Sequence, residues 1–517
     1  MAENTPQESI AVLDYGSQYS QLIARRIREC HIFSQVVPCN ITAGELAALH
    51  PRGIILSGGP ASVYDEGAPT LDPAILQLGV PVLGICYGMQ LLVTSLGGRV
   101  AAAREREFGR AQLHIRCASE LFAGMSEEQT VWMSHGDKVT AGSGLLETIA
   151  TTANCEFAAC KVKDRPLYGI QFHPEVVHSV NGTQVLRNFC LRICQCRGTW
   201  TMESFIERSI REIRERVGSE RVILGLSGGV DSSVAAALLH RAIGRQLTCI
   251  FVNNGLLRKN EAEGVQQLFG RNFNMDLRYV DATDRFMEKL AGVSEPEEKR
   301  HVIGREFIEV FADTARSIGD ATYLAQGTTY PDVIESMPIN GNPAAMIKSH
   351  HNVGGLPKDL KFKLIEPLNT LFKDEVREVG RKLGLPDEVI LRQPFPGPGL
   401  GVRHLGAVTK YTLDLLREAD AIFVEEVKKA GLYYRMWQAF CVFLPVKTVG
   451  VMGDQRTYEY VVALRAVDSQ DGMTADWVNL PQTLLRTVSD RIINEVRGIN
   501  RVVLDITSKP PSTIEWE

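Results

Sequence analysis

The sequence lacks any run of about 18 consecutive apolar residues, the length that a membrane-spanning helix requires. Its first residues, MAENTPQESI, are polar and lack the apolar core of a secretory signal. The 11 cysteines show neither disulfide-framework spacing nor zinc-site spacing, which favours reduced thiols. We therefore predict a cytoplasmic protein with no membrane partner.

The sequence also has no excess of basic charge, because 56 Lys and Arg residues stand against 61 Asp and Glu residues. Nucleic-acid-binding domains usually carry a basic patch, so we predict no nucleic-acid partner. Internal repeats and low-complexity tracts are absent from the sequence as well. With 517 residues, 44% hydrophobic and 23% charged, the composition is that of a globular chain too long for a single core.

Apolar strands alternate with amphipathic helices in two successive stretches of the chain. The principal predicted strands lie at 10–16, 53–59, 80–86, 221–229, 247–255 and 321–332. Near-continuous runs of Val, Ile and Leu followed by helices are typical of parallel sheets covered on both faces. The pattern therefore predicts an α/β fold with two doubly wound, mainly parallel sheet domains.

The composition changes at 393–401, QPFPGPGLG, where the density of Pro and Gly is incompatible with a helix or a central strand. Helices and strands are mixed after this stretch, which is typical of a smaller α+β domain. We accordingly predict three domains, at residues 1–199, 200–392 and 393–517.

The stretch Gly84-Ile85-Cys86-Tyr87-Gly88 has the form of a nucleophile elbow, a sharp turn from a strand into a helix. Flanking glycines avoid steric clashes in such a turn, and the following helix directs its positive end at the sulfur. Taken alone, the stretch is more typical of a core cysteine than of a nucleophile. We predict that Cys86 is the nucleophile because further stretches supply the groups that it needs.

Those groups are a proton carrier and an oxyanion site. His173 and Glu175 stand two positions apart in GIQFHPE, so that both can project to one side of an extended chain. Glu175 would orient the imidazole, and His173 would exchange a proton with Cys86 and the leaving group. For the oxyanion site, we predict the backbone N–H groups of Gly59, in LSGGP, and of Tyr87.

Together with LDYGSQYSQLIARRIRE, these stretches resemble the class I glutamine amidotransferases. The resemblance implies that Cys86 attacks the side-chain amide of glutamine and that a thioester is formed. It further implies that glutamate and ammonia are released and that the ammonia is used at a second site.

A candidate second site lies between the predicted strand 221–229 and the helix after it. Its residues are Ser227, Gly228, Gly229, Val230, Asp231, Ser232 and Ser233, a set that we call the phosphate loop. Backbone N–H groups, a helix N-terminus and hydroxyls around one point form an anion site, although the lysine of a Walker A loop is absent. Asp231 is the predicted ligand of a Mg²⁺ ion that bridges the phosphates.

SGGVDSS resembles the signature of the ATP pyrophosphatase family, which cleaves ATP to AMP and pyrophosphate while adenylating a carbonyl oxygen. One position departs from that family. Its FVDNGLLR stretch has an Asp where this chain has Asn253, which weakens any contact that the carboxylate makes to metal or ribose.

The residues of the two candidate sites do not indicate which molecule accepts the ammonia. GTTYPDVIES, KSHHNVGGLP, QPFPGPGLGVR, GMTADW and SKPPSTIEWE resemble the glutamine-hydrolysing GMP synthetase family. The resemblance implies adenylation of xanthosine monophosphate (XMP) at its C2 carbonyl, displacement of AMP by ammonia to give GMP, and a homodimer. Another carbonyl nucleotide or a tRNA base remains an alternative acceptor, and a catalytically silent nucleotide-binding or glutamine-binding protein is the alternative to an enzyme.

For XMP, we predict that Lys509, in SKPP, and Arg300, in EEKRHVIGRE, neutralise the dianionic phosphate of the nucleotide. Glu515 would accept hydrogen bonds from the base or the ribose. The stretch 348–357, with two His and two Gly residues, is predicted to form a lid over the nucleotides.

Overall fold

The computed structural model describes residues 7–142, 144–335, 362–452, 455–469 and 472–517. The chain divides into two compact units, Met1–Phe205 with Val333–Ile347 and Ile206–Asp332 with Lys348–Glu517. The predicted lid at 348–357 lies outside the described residues. Within the described ranges, no helix is both long and apolar enough to cross a membrane.

A nine-stranded sheet forms the centre of the first unit. Its strands are β1 (Ser9–Asp14), β2 (Phe33–Pro38), β3 (Gly53–Leu56), β4 (Val82–Ile85), β5 (Arg99–Ile115), β6 (Glu128–Ala141), β7 (Leu146–Thr151), β8 (Ala159–Val162) and β9 (Leu167–Ile170). The helices are α1 (Ser20–Glu29), α2 (Ala43–Ala48), α3 (Tyr87–Ser95) and α4 (Gly182–Asn188), and α5 (Met202–Val217) spans the division between the units.

The strand order in this sheet is β2-β1-β3-β4-β9-β8-β7-β5-β6. The first five strands in that order are parallel, and the last four pair antiparallel. Strands β3 and β4 are buried along their whole length, as expected where helices cover both faces. The parallel half therefore brings the carboxyl ends of β3, β4 and β9 to one edge.

The second unit contains a parallel sheet and a mainly antiparallel one. The parallel sheet has β10 (Arg221–Gly225), β11 (Leu247–Asn253), β12 (Asp276–Asp281), β13 (Ala321–Ala325) and β14 (Lys363–Ile365), in the order β12-β11-β10-β13-β14. The other sheet has β15 (Gln438–Met452), β16 (Gln455–Asp468), β17 (Asp476–Trp477) and β18 (Ile499–Asp505). Of these, β18 pairs with β16 in the parallel direction.

The helices of this unit are α6 (Val230–Ile243), α7 (Glu261–Val265), α8 (Thr283–Leu290), α9 (Pro296–Ile318), α10 (Tyr330–Glu335), which spans the division between the units, α11 (Lys373–Lys382), α12 (Asp387–Ile390), α13 (Lys410–Lys429) and α14 (Gln482–Glu495). One apolar core joins Ile223 and Phe311 to Phe423 and Val462, so it runs across residue 393. The predicted fold class is confirmed, whereas the three domain boundaries stay predictions.

Candidate active site

Cys86 lies in the turn between β4 and α3 with a backbone φ of +50°, which is rare for a residue with a side chain. Its N–H donates to the main-chain oxygen of Ile170 on β9 at 2.8 Å, which holds the turn against the sheet. A strained residue persists only where its surroundings fix it, and such residues cluster at functional sites. The geometry is that of the predicted nucleophile elbow.

The two flanking glycines are required by close packing between the strand end and the helix. A Cβ on Gly84 would lie 2.6 Å from the main-chain oxygen of Gly88, and a Cβ on Gly88 would lie 2.3 Å from that of Leu56. Both distances are far below van der Waals contact. The sequence Gly-x-Cys-x-Gly is therefore what lets α3 begin directly under Cys86.

His173 and Glu175 form a buried pair beside this turn. Glu175 Oε1 lies 2.7 Å from His173 Nδ1, and the Glu175 side chain is fully buried. The His173 backbone is fixed on both sides, since its N–H donates to Trp132 O at 3.0 Å and its C=O accepts from Ser179 Oγ at 2.6 Å. The imidazole is thus held in one orientation.

The environment of His173 favours the imidazolium. Burial lowers the pKa of His173, but the charge of Glu175 and hydrogen bonds to Cys86 and Glu175 outweigh it, and the pKa rises from 6.5 to about 11. An imidazolium in contact with Cys86 is the partner that a thiolate needs. The structure therefore brings together the three residues predicted as nucleophile, proton carrier and orienting carboxylate.

The predicted oxyanion donors, Gly59 and Tyr87, lie next to the same turn. A Cβ on Gly59 would meet Tyr15 O at 2.8 Å, so this position must be glycine. Its neighbour Gly58 is the closer of the two to the reacting groups, because a Cβ there would lie 3.1 Å from the His173 ring. Tyr87 opens α3, and its hydroxyl donates to Pro69 O at 2.6 Å.

The phosphate loop, Ser227 to Ser233, connects β10 to α6 in the second unit. Ser232 Oγ accepts a hydrogen bond from Ser227 N at 3.2 Å and lies 2.9 Å from Ser227 Oγ. The hydroxyls of these two loop residues are therefore in contact with each other. Gly228 has a φ of +74°, which its lack of a side chain allows. Ser233 is buried and donates to Gly229 O at 2.6 Å, so its hydroxyl stabilises the first turn of α6.

Asp231, the predicted magnesium ligand, lies in the first turn of α6. Among the described residues, no group of three or more His, Cys, Asp or Glu side chains could hold a metal ion by itself. Mg²⁺ is usually bound through one or two carboxylates, with phosphates and water as the other ligands. A single carboxylate at the phosphate loop fits that mode of binding.

Asn253, which departs from the ATP pyrophosphatase pattern, ends β11 beside the strand that leads into the phosphate loop. Its Oδ1 accepts from Gly255 N at 3.0 Å, and its Nδ2 donates to the Tyr279 hydroxyl at 3.1 Å. An Asp at this position could accept the hydrogen bond from Gly255 N but could not donate one to the Tyr279 hydroxyl. Asn253 therefore stabilises the turn after β11 and also holds Tyr279 with a donor that an Asp lacks.

The three predicted XMP contacts lie in the second unit, and each already has a partner. Both carboxylate oxygens of Glu515 accept from Arg403, at 2.9 and 2.8 Å. Arg300 donates to the main-chain oxygen of Glu517. Lys509 donates to the main-chain oxygen of Gly472 at 2.8 Å.

Sequence reasoning missed three polar residues at these sites. Gln171 Nε2 lies 3.6 Å from Cys86 Sγ, and its position two residues before His173 was the available signal. Arg392 donates to Gly228 O at 3.0 Å, and Arg403 is fully buried against Glu515. Their contacts join residues far apart in the chain, so no local pattern pointed to them.

Three protein-family models match successive parts of the chain. The model described as glutamine amidotransferase class-I matches residues 11–193, which contain all three residues of the Cys86 site. The model described as NAD synthase matches residues 202–294, which contain the phosphate loop. The model described as GMP synthase C terminal domain matches residues 425–516.

Curated relatives are similar over nearly the whole chain. The glutamine-hydrolysing GMP synthase of Geobacillus kaustophilus is 59% identical, covering 99% of this chain and 100% of its own length. That of Nostoc punctiforme is 57% identical, covering 98% of this chain and 95% of its own length. These matches confirm the predicted enzyme class, a ligase with glutamine as the amido donor. The chain belongs to the glutamine-hydrolysing GMP synthase family.

Proposed function

We propose that this chain converts XMP to GMP, with ATP cleaved to AMP and pyrophosphate through an adenyl-XMP intermediate and with ammonia supplied by glutamine hydrolysis. The observation that carries the proposal is the buried Cys86, His173 and Glu175 array at a strained elbow. Family membership supports the choice of substrates, because the relatives are named as glutamine-hydrolysing GMP synthases.

In the first step of glutamine hydrolysis, the thiol proton of Cys86 would move to His173. The sulfur attacks the amide carbon, and His173 returns the proton to the leaving nitrogen, so that ammonia and a thioester are formed. Water then attacks the thioester, His173 takes its proton, and the sulfur leaves as thiolate with glutamate as product. Glu175, 2.7 Å from Nδ1, holds the ring for both transfers.

We assign the oxyanion site to the N–H groups of Gly59 and Tyr87. The positions of the two residues support this assignment. Tyr87 is the first residue of α3, and Gly59 follows the end of β3 beside the turn that holds Cys86. Removing one such donor typically costs a factor of about 100 to about 1,000 in kcat. Gly58, which lies against the His173 ring, leaves room for the substrate to approach.

ATP would bind with its phosphates at the phosphate loop. The N-terminus of α6 and the Ser227 and Ser232 hydroxyls supply donors for a pyrophosphate that departs as one unit. When bound, Mg²⁺ would neutralise the phosphates, and Asp231 is the residue that would hold it. Arg392, which donates to Gly228 O, fixes the loop backbone.

We assign XMP recognition to Arg300, Lys509 and Glu515. Two cations suit a phosphate dianion, and Glu515 can accept hydrogen bonds from base N–H or ribose O–H groups. The buried Arg403 supports this assignment for Glu515, because its two hydrogen bonds hold the carboxylate in one orientation.

The direct test follows the nitrogen atom. Glutamine labelled with ¹⁵N in its amide is incubated with the protein, ATP, Mg²⁺ and XMP, and GMP, AMP and pyrophosphate are measured. We expect labelled GMP with AMP and pyrophosphate in equal amounts. Glutamine hydrolysis without any GMP would contradict the XMP assignment and redirect the search to other carbonyl nucleotides.

A homodimer is also proposed, supported by an apolar patch on the β15–β16 hairpin. Val449 and Val451 are 51% and 74% exposed, and Tyr458, which pairs with Val449, is 63% exposed. Sedimentation at several protein concentrations tests the homodimer, and a monomer at all of them would contradict it.

A cytoplasmic location is also proposed. It is supported by the 11 cysteines, because all of them are free thiols, as is usual in a reducing compartment.

A further inference from the structure

Gln171 is a fully buried polar residue beside Cys86 to which none of the steps above gives a role. It follows the last residue of β9, and its N–H donates to Ala158 O at 2.9 Å, which fixes its backbone. Gln171 and His173 both reach the Cys86 sulfur, as positions i and i+2 of an extended segment can.

The sulfur of Cys86 has neighbours suited to two different protonation states. Ser134 O, at 3.7 Å, can only accept a hydrogen bond and therefore pairs with the neutral thiol. Gln171 Nε2, at 3.6 Å, donates, and its bond strengthens when the sulfur is negative. The opposite orientation of the amide would set a carbonyl oxygen against the sulfur and is disfavoured by charge.

Packing alone does not account for Gln171. Its Oε1 is buried and has no hydrogen-bond partner in the described part of the chain. A buried carbonyl without a partner is unfavourable for folding, and an apolar side chain such as Met would fill the same space without that cost. The useful group at this position is the N–H donor that faces the sulfur.

We propose that Gln171 is a further catalytic residue of the glutaminase site, whose amide N–H donates to the sulfur of Cys86 whenever the sulfur carries negative charge. The proposal rests on the proposed glutamine hydrolysis. Negative charge is present twice in that reaction: when the thiol proton has moved to His173, and when the carbon–sulfur bond of the thioester breaks and its electron pair returns to sulfur. Gln171 stabilises the thiolate in both.

The test measures alkylation of Cys86 by iodoacetamide in the full-length protein without substrates, from about pH 4 to about pH 10, with mass spectrometry of the Cys86 peptide. Wild type is compared with Gln171→Met and with Gln129→Met. Gln129 is a matched control because it is also buried and its amide donates to Ser126 O at 2.8 Å.

In Gln171→Met, we expect the alkylation midpoint to lie about one pH unit higher than in wild type, because one hydrogen bond to a charged group is lost. We expect kcat for glutamine hydrolysis to fall about 10-fold with KM nearly unchanged, because the bond is made to the sulfur and not to glutamine. Gln129→Met should keep the wild-type midpoint. An unchanged midpoint in folded Gln171→Met would overturn the proposal.

Gln171→Glu provides a second test should Gln171→Met not fold, since it keeps the size and shape of the side chain. A carboxylate beside the sulfur should raise the midpoint further, and an unchanged or lowered midpoint would overturn the proposal. Failure of wild type to hydrolyse glutamine would instead contradict the proposed function. The alkylation midpoints still report on Gln171 in that case.

Discussion

Replacing Glu175 with glutamine removes one negative charge at the centre of the glutaminase site and keeps the side-chain shape. Glu175 Oε1 lies 2.7 Å from His173 Nδ1, and the Glu175 side chain is fully shielded from water. Its charge is one of the interactions that raise the pKa of His173 to about 11. Glu175→Gln therefore tests whether that charge sustains the imidazolium.

The expected size of the effect follows from one charge-assisted hydrogen bond. Such bonds contribute about 1.5 to 3 kcal/mol, and one pKa unit corresponds to about 1.4 kcal/mol, so the pKa of His173 should fall by about 1 to 2 units. Since the proposed mechanism requires a protonated His173 to release ammonia, the high-pH limb of glutamine hydrolysis should move to lower pH. At neutral pH His173 remains protonated in the variant, but the transition state loses the same stabilisation of about 1.5 to 3 kcal/mol, so kcat/KM should fall about 10- to 100-fold.

The assay follows glutamate release across pH, with GMP formation from ammonium salts as the internal control. Glu147→Gln is the matched variant, because Glu147 is exposed on β7 of the same unit. An unshifted high-pH limb in Glu175→Gln would refute the role given to the carboxylate. An equal loss of ammonium-dependent synthesis would show that the variant damages more than the glutaminase site.

Three further substitutions test the remaining parts of the account. Gly88→Ala would place a Cβ 2.3 Å from Leu56 O and should abolish glutamine hydrolysis or lower the melting temperature by several degrees. Ser232→Ala removes a hydroxyl from the phosphate loop and should raise KM for ATP about 10-fold in the ammonium-dependent reaction. Arg403→Met leaves Glu515 without its charged partner and should destabilise the fold by about 3 to 5 kcal/mol in urea unfolding and raise KM for XMP.

Matched variants make these outcomes specific. Gly44→Ala lies on α2 with nothing within 4 Å of the added Cβ and should leave both activities and the melting temperature nearly unchanged. Ser317→Ala removes a hydroxyl that donates to Thr314 O and should leave KM for ATP at its wild-type value. Full glutaminase activity in Gly88→Ala would refute the packing argument for the elbow. Unchanged KM values in Ser232→Ala and Arg403→Met would refute the roles given to their sites.

Two parts of the proposed catalytic array, the Cys86 turn and the His173–Glu175 pair, were predictable from the sequence because each has a geometry that is set locally. A strand that ends in Gly-x-Cys-x-Gly has few ways to continue into a helix, and the structure places Cys86 at that turn. His173 and Glu175 are two residues apart, so their contact also needs little information from elsewhere. Strands β1, β3 and β4 could be predicted for a similar reason, since their runs of Val, Ile and Leu have no alternative to burial.

The features that were not predicted depend on distant parts of the chain. Strand β5 carries the charged residues of REREFGR and lacks a continuous apolar run, and its antiparallel pairing with β6 is set by the sheet that both strands extend. Arg403 and Glu515 meet across 112 positions of sequence. No local pattern marks such a pair, because it forms only when the apolar core around it has formed.

The central claim is that Cys86 supplies ammonia while the second unit makes GMP. It is tested most directly by comparing GMP formation from glutamine and from ammonium salts in Cys86→Ala, with Cys117→Ala as control because its partly buried thiol lies 3.9 Å from Thr148 O, outside the site. We expect Cys86→Ala to make GMP from ammonium at the wild-type rate and none from glutamine. Glutamine-dependent GMP formation that survives in Cys86→Ala would contradict it.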